Sequence, residues 1–272
     1  MENKPTALVT GATSGIGAEF ARQLAGKGCN LILAGREAIL RETADRIMER
    51  YPVKTDIFIV DFSDPADTEM FVQAIEKRED IEILVNCAGF GHRNFFLEED
   101  YKQLEAMLQV HIGILTRLCW ITAGIMKKNG NGTIINVSAL SAFFATPTMP
   151  LYGATKAFIN NFSEALYVSL RKDGIYVQSL CPGFTHTAFH SKLGWSPERT
   201  RSKGLARWMT AEQVVTKSLK AAKKKKPLTI PGFTNRLLKY LALNLPRSMY
   251  YLISSEYFRR EAESKKREYE RN

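Results

Sequence analysis

The 272-residue chain predicts an α/β fold, a doubly wound parallel sheet of about seven strands with helices on both faces and a C-terminal helical extension. Three observations carry this expectation. Short apolar runs alternate with segments of helical period in the order strand, helix, strand. The first run, Ala7-Leu8-Val9, leads into the turn Thr10-Gly11-Ala12-Thr13-Ser14-Gly15-Ile16-Gly17 and an amphipathic stretch from Ile16 to Leu24. Beyond Pro231-Gly232 the pattern becomes wholly helical.

Taken in order, the apolar runs place strands near residues 6 to 10, 30 to 34, 56 to 60, 82 to 86, 132 to 137, 175 to 180 and 228 to 230. Seven strands complete a Rossmann-type sheet, so residues 1 to 232 are read as one dinucleotide-binding domain. In the extension, residues 233 to 272, Leu237, Leu238, Leu241 and Leu245 recur at helical spacing until Pro246 breaks it. Met249, Leu252, Ile253 and Tyr257 then resume the period, which reads as a helical hairpin. Its apolar face packs on the parent domain, forms a dimer contact or lies on a bilayer.

The glycine turn has the context of a dinucleotide fingerprint. Gly11 permits a tight turn, Gly15 lets backbone approach a pyrophosphate, and Gly17 allows close helix packing. The helix N-terminus presents free N–H groups to an anion. Far downstream stands Tyr152-Gly153-Ala154-Thr155-Lys156. Residues four apart share a helix face, so the Lys156 ammonium beside the Tyr152 phenol favours its ionised form.

These motifs, with Asn86-Cys87-Ala88-Gly89 and with Pro182-Gly183 followed by Thr185 and Thr187, resemble the short-chain dehydrogenase/reductases from about Thr6 to Gly232. Leu115-Thr116, Asn136-Val137-Ser138 and the long tail are most similar to the branch of ketoacyl and 17β-hydroxysteroid reductases. The resemblance implies a nicotinamide cofactor held by Gly11, Thr13, Ser14, Gly15, Ile16 and Gly17, with Asp61 and Phe62 against the adenine. Asn86, Ala88 and Gly89 border the adenine ribose, with Asn86 more often a strand-stabilising residue than a direct ligand, and the Pro182-Gly183 loop with Thr185 and Thr187 binds the carboxamide. Arg36, at the end of the second strand where a carboxylate would select NAD(H), points to NADP(H) ahead of NAD(H).

By the same resemblance Tyr152 protonates a carbonyl oxygen while Lys156 also holds the nicotinamide ribose. Two positions depart from the family. The usual serine thirteen residues before Tyr152 is Ala139, flanked by Ser138 and Ser141, and the usual asparagine of the central helix is His111. Ser138 is the nearest hydroxyl in sequence, although strand alternation turns it away from the face lined by Ala139. Ser141 recovers that face if the chain stays extended. His111 is expected to hold a water relay or simply to be packed.

Phe90, Phe95, Phe96, Phe143, Phe144, Met149, Phe184, Phe189 and Trp195 fall around the carbonyl site and favour a bulky apolar substrate, 3-oxoacyl or steroid-like. His186 and His190 lack a glutamate and a third ligand, so no metal is read. The competing function is a catalytically weakened dinucleotide-binding protein, used for interaction or sensing.

The net charge of +10 is uneven: residues 1 to 198 hold 19 Lys/Arg and 22 Asp/Glu, whereas residues 199 to 272 hold 19 and 6. A basic last quarter suits a solvated face, an anionic membrane or an acidic carrier, and no reading helix or stacking module supports nucleic acid. Cys29, Cys87, Cys119 and Cys181 lack metal spacing and suit reduced thiols. With no signal pattern and no run of 18 apolar residues, a cytoplasmic protein, peripheral at most to a membrane, is expected. The resemblance further implies a homo-oligomer.

Overall fold

The computed structural model describes residues 4–36, 39–92, 94–195, 200–202, 204 and 207–269, with side chains described as far as residue 263. Seven parallel strands form the sheet: β1 (Thr6–Thr10), β2 (Asn30–Gly35), β3 (Thr55–Ile59), β4 (Ile81–Asn86), β5 (Gly132–Val137), β6 (Ile175–Leu180) and β9 (Leu228–Thr229). Their order is β3-β2-β1-β4-β5-β6-β9, so the chain reverses its direction of progress between β1 and β4. Ligands of open α/β sheets bind at such a switch point, outside the carboxyl ends of the strands. A second ladder, β7 (Thr185–His186) with β8 (Met209–Thr210), was not foreseen from the sequence.

Strands buried on both faces read as continuous apolar runs. One layer packs α1 (Gly15–Ala25), α2 (Ile39–Arg50) and α8 (Ala211–Lys223) on Val9, Leu31, Leu33 and Ile135. The opposite layer sets α3 (Pro65–Glu76), α5 (Ile114–Asn129) and α6 (Pro150–Leu170) against Leu8, Ile32, Leu84 and Ile134. Helix α4 (Tyr101–Leu108) runs into α5 through a π-turn over Gln109–Gly113. The continuous run Tyr101–Asn129 is long and apolar enough by composition to cross a membrane. Its inner residues Ile114, Leu118 and Met126 are instead buried in the core.

After the short α7 (Ala188–Lys192) and α8, the chain ends in α9 (Phe233–Asn244) and α10 (Arg247–Tyr269). The hairpin docks through few side chains. Asn235 and Ala242 are buried, Leu238 packs with Phe143 and Phe144, and the Tyr250 hydroxyl accepts from the amide of Ala145. The apolar stripe expected from periodicity is not the docked face of α10, because Met249, Leu252 and Ile253 are exposed.

Candidate active site

The glycine turn between β1 and α1 sits at the switch point. Gly11 and Gly15 have φ of +66° and +59°. A Cβ on Gly11 would lie 2.9 Å from the backbone of Ala88, and one on Gly17 would lie 2.2 Å from the carbonyl oxygen of Gly11. Both positions therefore exclude side chains for reasons of packing as well as ligand approach. A Cβ on Gly15 would stand 2.9 Å from the Thr187 methyl, so the turn also touches the loop after β6. Ser14 caps α1 in extended conformation without a side-chain bond to the first-turn amides. An uncapped helix start cradled by glycines fits the pyrophosphate of a dinucleotide.

Thr10, given no role from the sequence, ties this turn to the next loop: its hydroxyl oxygen accepts from the amides of Cys87 at 3.0 Å and Ala88 at 3.1 Å. A threonine closing β1 immediately before the first glycine is the only signal for it. Thr13 lies beneath the end of β2, where a Cβ on Gly35 would meet its hydroxyl at 2.4 Å. Ile16 packs against the core, so its amide, not its side chain, is available to a ligand.

Arg36 is exposed at the end of β2, its guanidinium 5.9 Å from the Phe90 ring centre. Burial alone would raise the Asp61 pKa, but hydrogen bonds from the Ser63 hydroxyl and amide and the nearby Arg36 charge outweigh it and hold the carboxyl low. Phe62 departs from expectation. It is 3% exposed and meets Phe71 edge-on at 5.3 Å, so it belongs to the core, not to an adenine wall. Asn86 is likewise engaged within the protein, donating to Asn136 at 2.8 Å and to Cys119, and so clamps β4 to β5.

Ala88 and Gly89 continue toward Tyr152 and Lys156, and a Cβ on Gly89 would lie 3.0 Å from His111 Nε2 and 3.7 Å from Lys156 Nζ. Opposite them, Pro182 accepts from the Leu140 amide at 2.7 Å, and Gly183 leaves room for the buried Asn235 side chain. The Thr185 hydroxyl donates to the Gly183 carbonyl at 3.0 Å, while the Thr187 hydroxyl caps α7 by accepting from the Phe189 amide.

Tyr152 and Lys156 share the inner face of α6, with Nζ 5.6 Å from the phenol ring centre and donating to the Val137 carbonyl at 3.1 Å. Burial pushes the Tyr152 phenol above its ordinary range and pulls Lys156 down to about 8. In this state burial outweighs the expected ionising effect of the ammonium, and Tyr152 is held as a neutral O–H donor.

Of the two roles expected for His111, the structure shows the packed one. His111 Nε2 accepts from the Phe90 amide at 3.0 Å, which leaves the proton on Nδ1 to donate to the Thr155 hydroxyl at 2.9 Å. Both ring nitrogens are thus used by protein groups, leaving none for a water relay. Burial, then the Lys156 charge, pushes the His111 pKa well down and keeps the ring neutral. The π-turn places the ring there, and π-turns of this kind recur at functional sites. Ser138 is spent on the carbonyl of Lys156 at 2.7 Å, on the helix side of the strand end. By contrast, Ser141 Oγ is buried with no hydrogen-bond partner among the described residues. It lies in the single turn Leu140–Phe143 that follows Ala139.

The aromatic expectations divide. Phe189 stands 5.8 Å from the Tyr152 ring and continues into a cluster in which Phe184, His190 and Trp195 surround Trp208. Trp208 was missed because it lies beyond the loop considered. His186 also packs on it, ring centres 4.9 Å apart. Phe90 lies beside His111, Phe95 meets Phe258 of α10 at 5.2 Å, and Phe143 and Phe144 sit under α9. Phe96 is exposed. Met149 stands at the N-cap of α6, three residues before Tyr152.

A family model described as short chain dehydrogenase matches residues 5–196. Hydroxysteroid dehydrogenase-like protein 1 of Gallus gallus is 37% identical over 179 residues, 65% of this chain and 54% of that protein. Very-long-chain 3-oxoacyl-CoA reductase of Anas platyrhynchos is 31% identical over 186 residues, 66% of this chain and 60% of that protein. The chain thus matches little more than half the length of these two curated relatives. A short-chain dehydrogenase from Sphingobium yanoikuyae, solved in complex with NADPH, shares the fold with a TM-score of 0.78 at 28% identity, covering 89% of this chain and 96% of that one. Glycine turn, sheet order and the Tyr152–Lys156 pair agree with these matches, and the chain belongs to the short-chain dehydrogenase/reductase family of oxidoreductases, in its ketoacyl reductase and hydroxysteroid dehydrogenase-like branch.

Proposed function

We propose that the protein is an NADPH-dependent reductase of a hydrophobic ketone or aldehyde, of the 3-oxoacyl or steroid-like class. The observation that carries this reading is a half-buried, neutral Tyr152 phenol beside the buried Lys156, at the sheet edge where the glycine turn fits a dinucleotide. When bound, the nicotinamide supplies the hydride. The chain supplies the rest. Tyr152 donates its proton to the carbonyl oxygen, and Lys156 stabilises the phenolate that this leaves and holds the nicotinamide ribose. Ser141, the buried hydroxyl without a partner, replaces the donor absent at Ala139 and bonds the developing oxyanion. Arg36 pairs with the 2′-phosphate through its guanidinium. The cluster of Phe184, Phe189, Trp195 and Trp208 excludes water and favours an apolar substrate.

NADPH oxidation against a panel of long-chain and polycyclic ketones, with NADH in parallel, tests this. Turnover with NADPH and preference for the apolar members is the expected result. A second reading rests on Ala139: a dinucleotide-binding protein of weak activity. Cofactor binding without turnover across the whole panel would favour it.

A further inference from the structure

The α9–α10 hairpin presents two unlike faces. Its inner contacts reach the loops after β4 and β5, through Phe258 on Phe95 and Tyr250 on Ala145, so the hairpin spans the rim of the site. Its outer face is apolar and exposed. Phe233, Tyr240 and Leu243 follow one stripe of α9 at 72%, 63% and 58% exposure. On α10, Leu252 and Ile253 are exposed at 72% and 55%. Leaving such side chains in water forgoes the gain of burying them, and exposed apolar patches of this kind mark interaction surfaces.

Charge identifies the occupant. Arg207, Lys217 and Lys220 line a cleft with Phe233 and Thr234, where Glu212 is the single acid. Lys223 to Lys226 close the same helix, and residues 199 to 232 hold ten Lys/Arg against one Asp/Glu. A second copy of the chain would bring like charge to this rim. An acidic carrier would meet the charge but not the apolar stripe unless it brought one of its own. A surface both anionic and apolar within a few ångströms of depth is a bilayer interface.

We propose that the outer face of the α9–α10 hairpin docks on anionic lipid membranes, with the exposed stripe entering the headgroup region and the α8 cations pairing with lipid phosphates. Resting on the reductase reading, one consequence is that the rim of the site faces the phase in which an apolar carbonyl compound dissolves. Docking itself is measured without turnover, so the two readings fail separately.

The test is sedimentation of the full chain with vesicles of phosphatidylcholine alone or with one third phosphatidylglycerol, at low and high salt. The expected result is binding to the anionic vesicles that weakens with salt. At least about tenfold weaker partitioning is expected for Leu252→Ser/Ile253→Ser and for Lys217→Glu/Lys220→Glu, with thermal unfolding unchanged because these groups are exposed. Failure to bind either vesicle overturns the proposal, as does binding indifferent to both variants. Equally fatal would be self-association, or capture by purified acyl carrier protein, that the Leu252→Ser/Ile253→Ser variant abolishes while vesicles stay unbound.

Discussion

Ser141→Ala separates catalysis from folding in an unusual way. The wild-type hydroxyl is buried with no partner, so its removal breaks no hydrogen bond in the apo protein. A buried unpaired hydroxyl costs of the order of 1 to 3 kcal/mol, and alanine relieves that cost while leaving a gap of only one oxygen. Stability is therefore expected to hold or rise. The transition state, in contrast, loses one preorganised donor to the oxyanion, worth roughly 10² to 10³ in kcat, or about 2.7 to 4 kcal/mol. The assay is kcat and KM for NADPH-linked carbonyl reduction at saturating cofactor, with chemical denaturation of the apo protein in parallel. Adding Ala139→Ser to the Ser141→Ala variant should return most of the lost rate by restoring a donor at the N-cap of the same turn. A parental kcat in the single variant would refute the assignment, and a fall in stability above ~1 kcal/mol would show a structural role instead.

Tyr152→Phe should abolish nearly all turnover and leave NADPH affinity close to parental in calorimetry, whereas Lys156→Met should damage both. Arg36→Glu should weaken NADPH by roughly 10 to 100-fold through loss of a charge-assisted pair and reverse the preference over NADH, and equal parental affinities at one ionic strength would overturn the selection argument. Burial lowers Lys156 from 10.5 to about 8, so the folded pKa lies below the unfolded one. Between those values the unfolded chain binds the extra proton, and stability contributed by this group rises with pH. Apo Lys156→Met should accordingly exceed the parent at pH 7 by up to ~3 kcal/mol and converge with it above pH 10.5, read by denaturant unfolding.

Strands β1, β2 and β4 to β6 were legible because burial on both faces leaves apolar runs such as Leu31-Ile32-Leu33-Ala34. The β7–β8 ladder was not, since Thr185–His186 and Met209–Thr210 are too short to carry a period. The π-turn at Gln109–Gly113 hides for a related reason: one extra residue in a helical pattern changes direction without changing composition. In the site, glycine and Tyr152–Lys156 spacing reports backbone geometry directly, whereas position alone does not show what the side chains of Phe62, Asn86 and Ser138 engage. Each found a partner inside the protein that only tertiary packing supplies: Phe71, Asn136 and the Lys156 carbonyl. The hairpin shows the same limit, since periodicity revealed an apolar stripe but not that α10 docks through Tyr250 and Phe258 instead.

The hydrogen bonds around His111 form a wire with no terminal. It begins at the Phe90 amide, passes through Nε2 and Nδ1 of the imidazole to the Thr155 hydroxyl, and ends on the Tyr152 carbonyl at 2.8 Å. Neither end exchanges a proton near neutrality, because an amide N–H does not release one and an amide oxygen does not take one. Every link points the same way, so the chain is an insulator laid along the back of the phenol. On the proposed reductase reading, recharging Tyr152 after each turnover is left to the Lys156 side, and the imidazole, its ring centre 5.7 Å from that of the phenol, stands as a spacer.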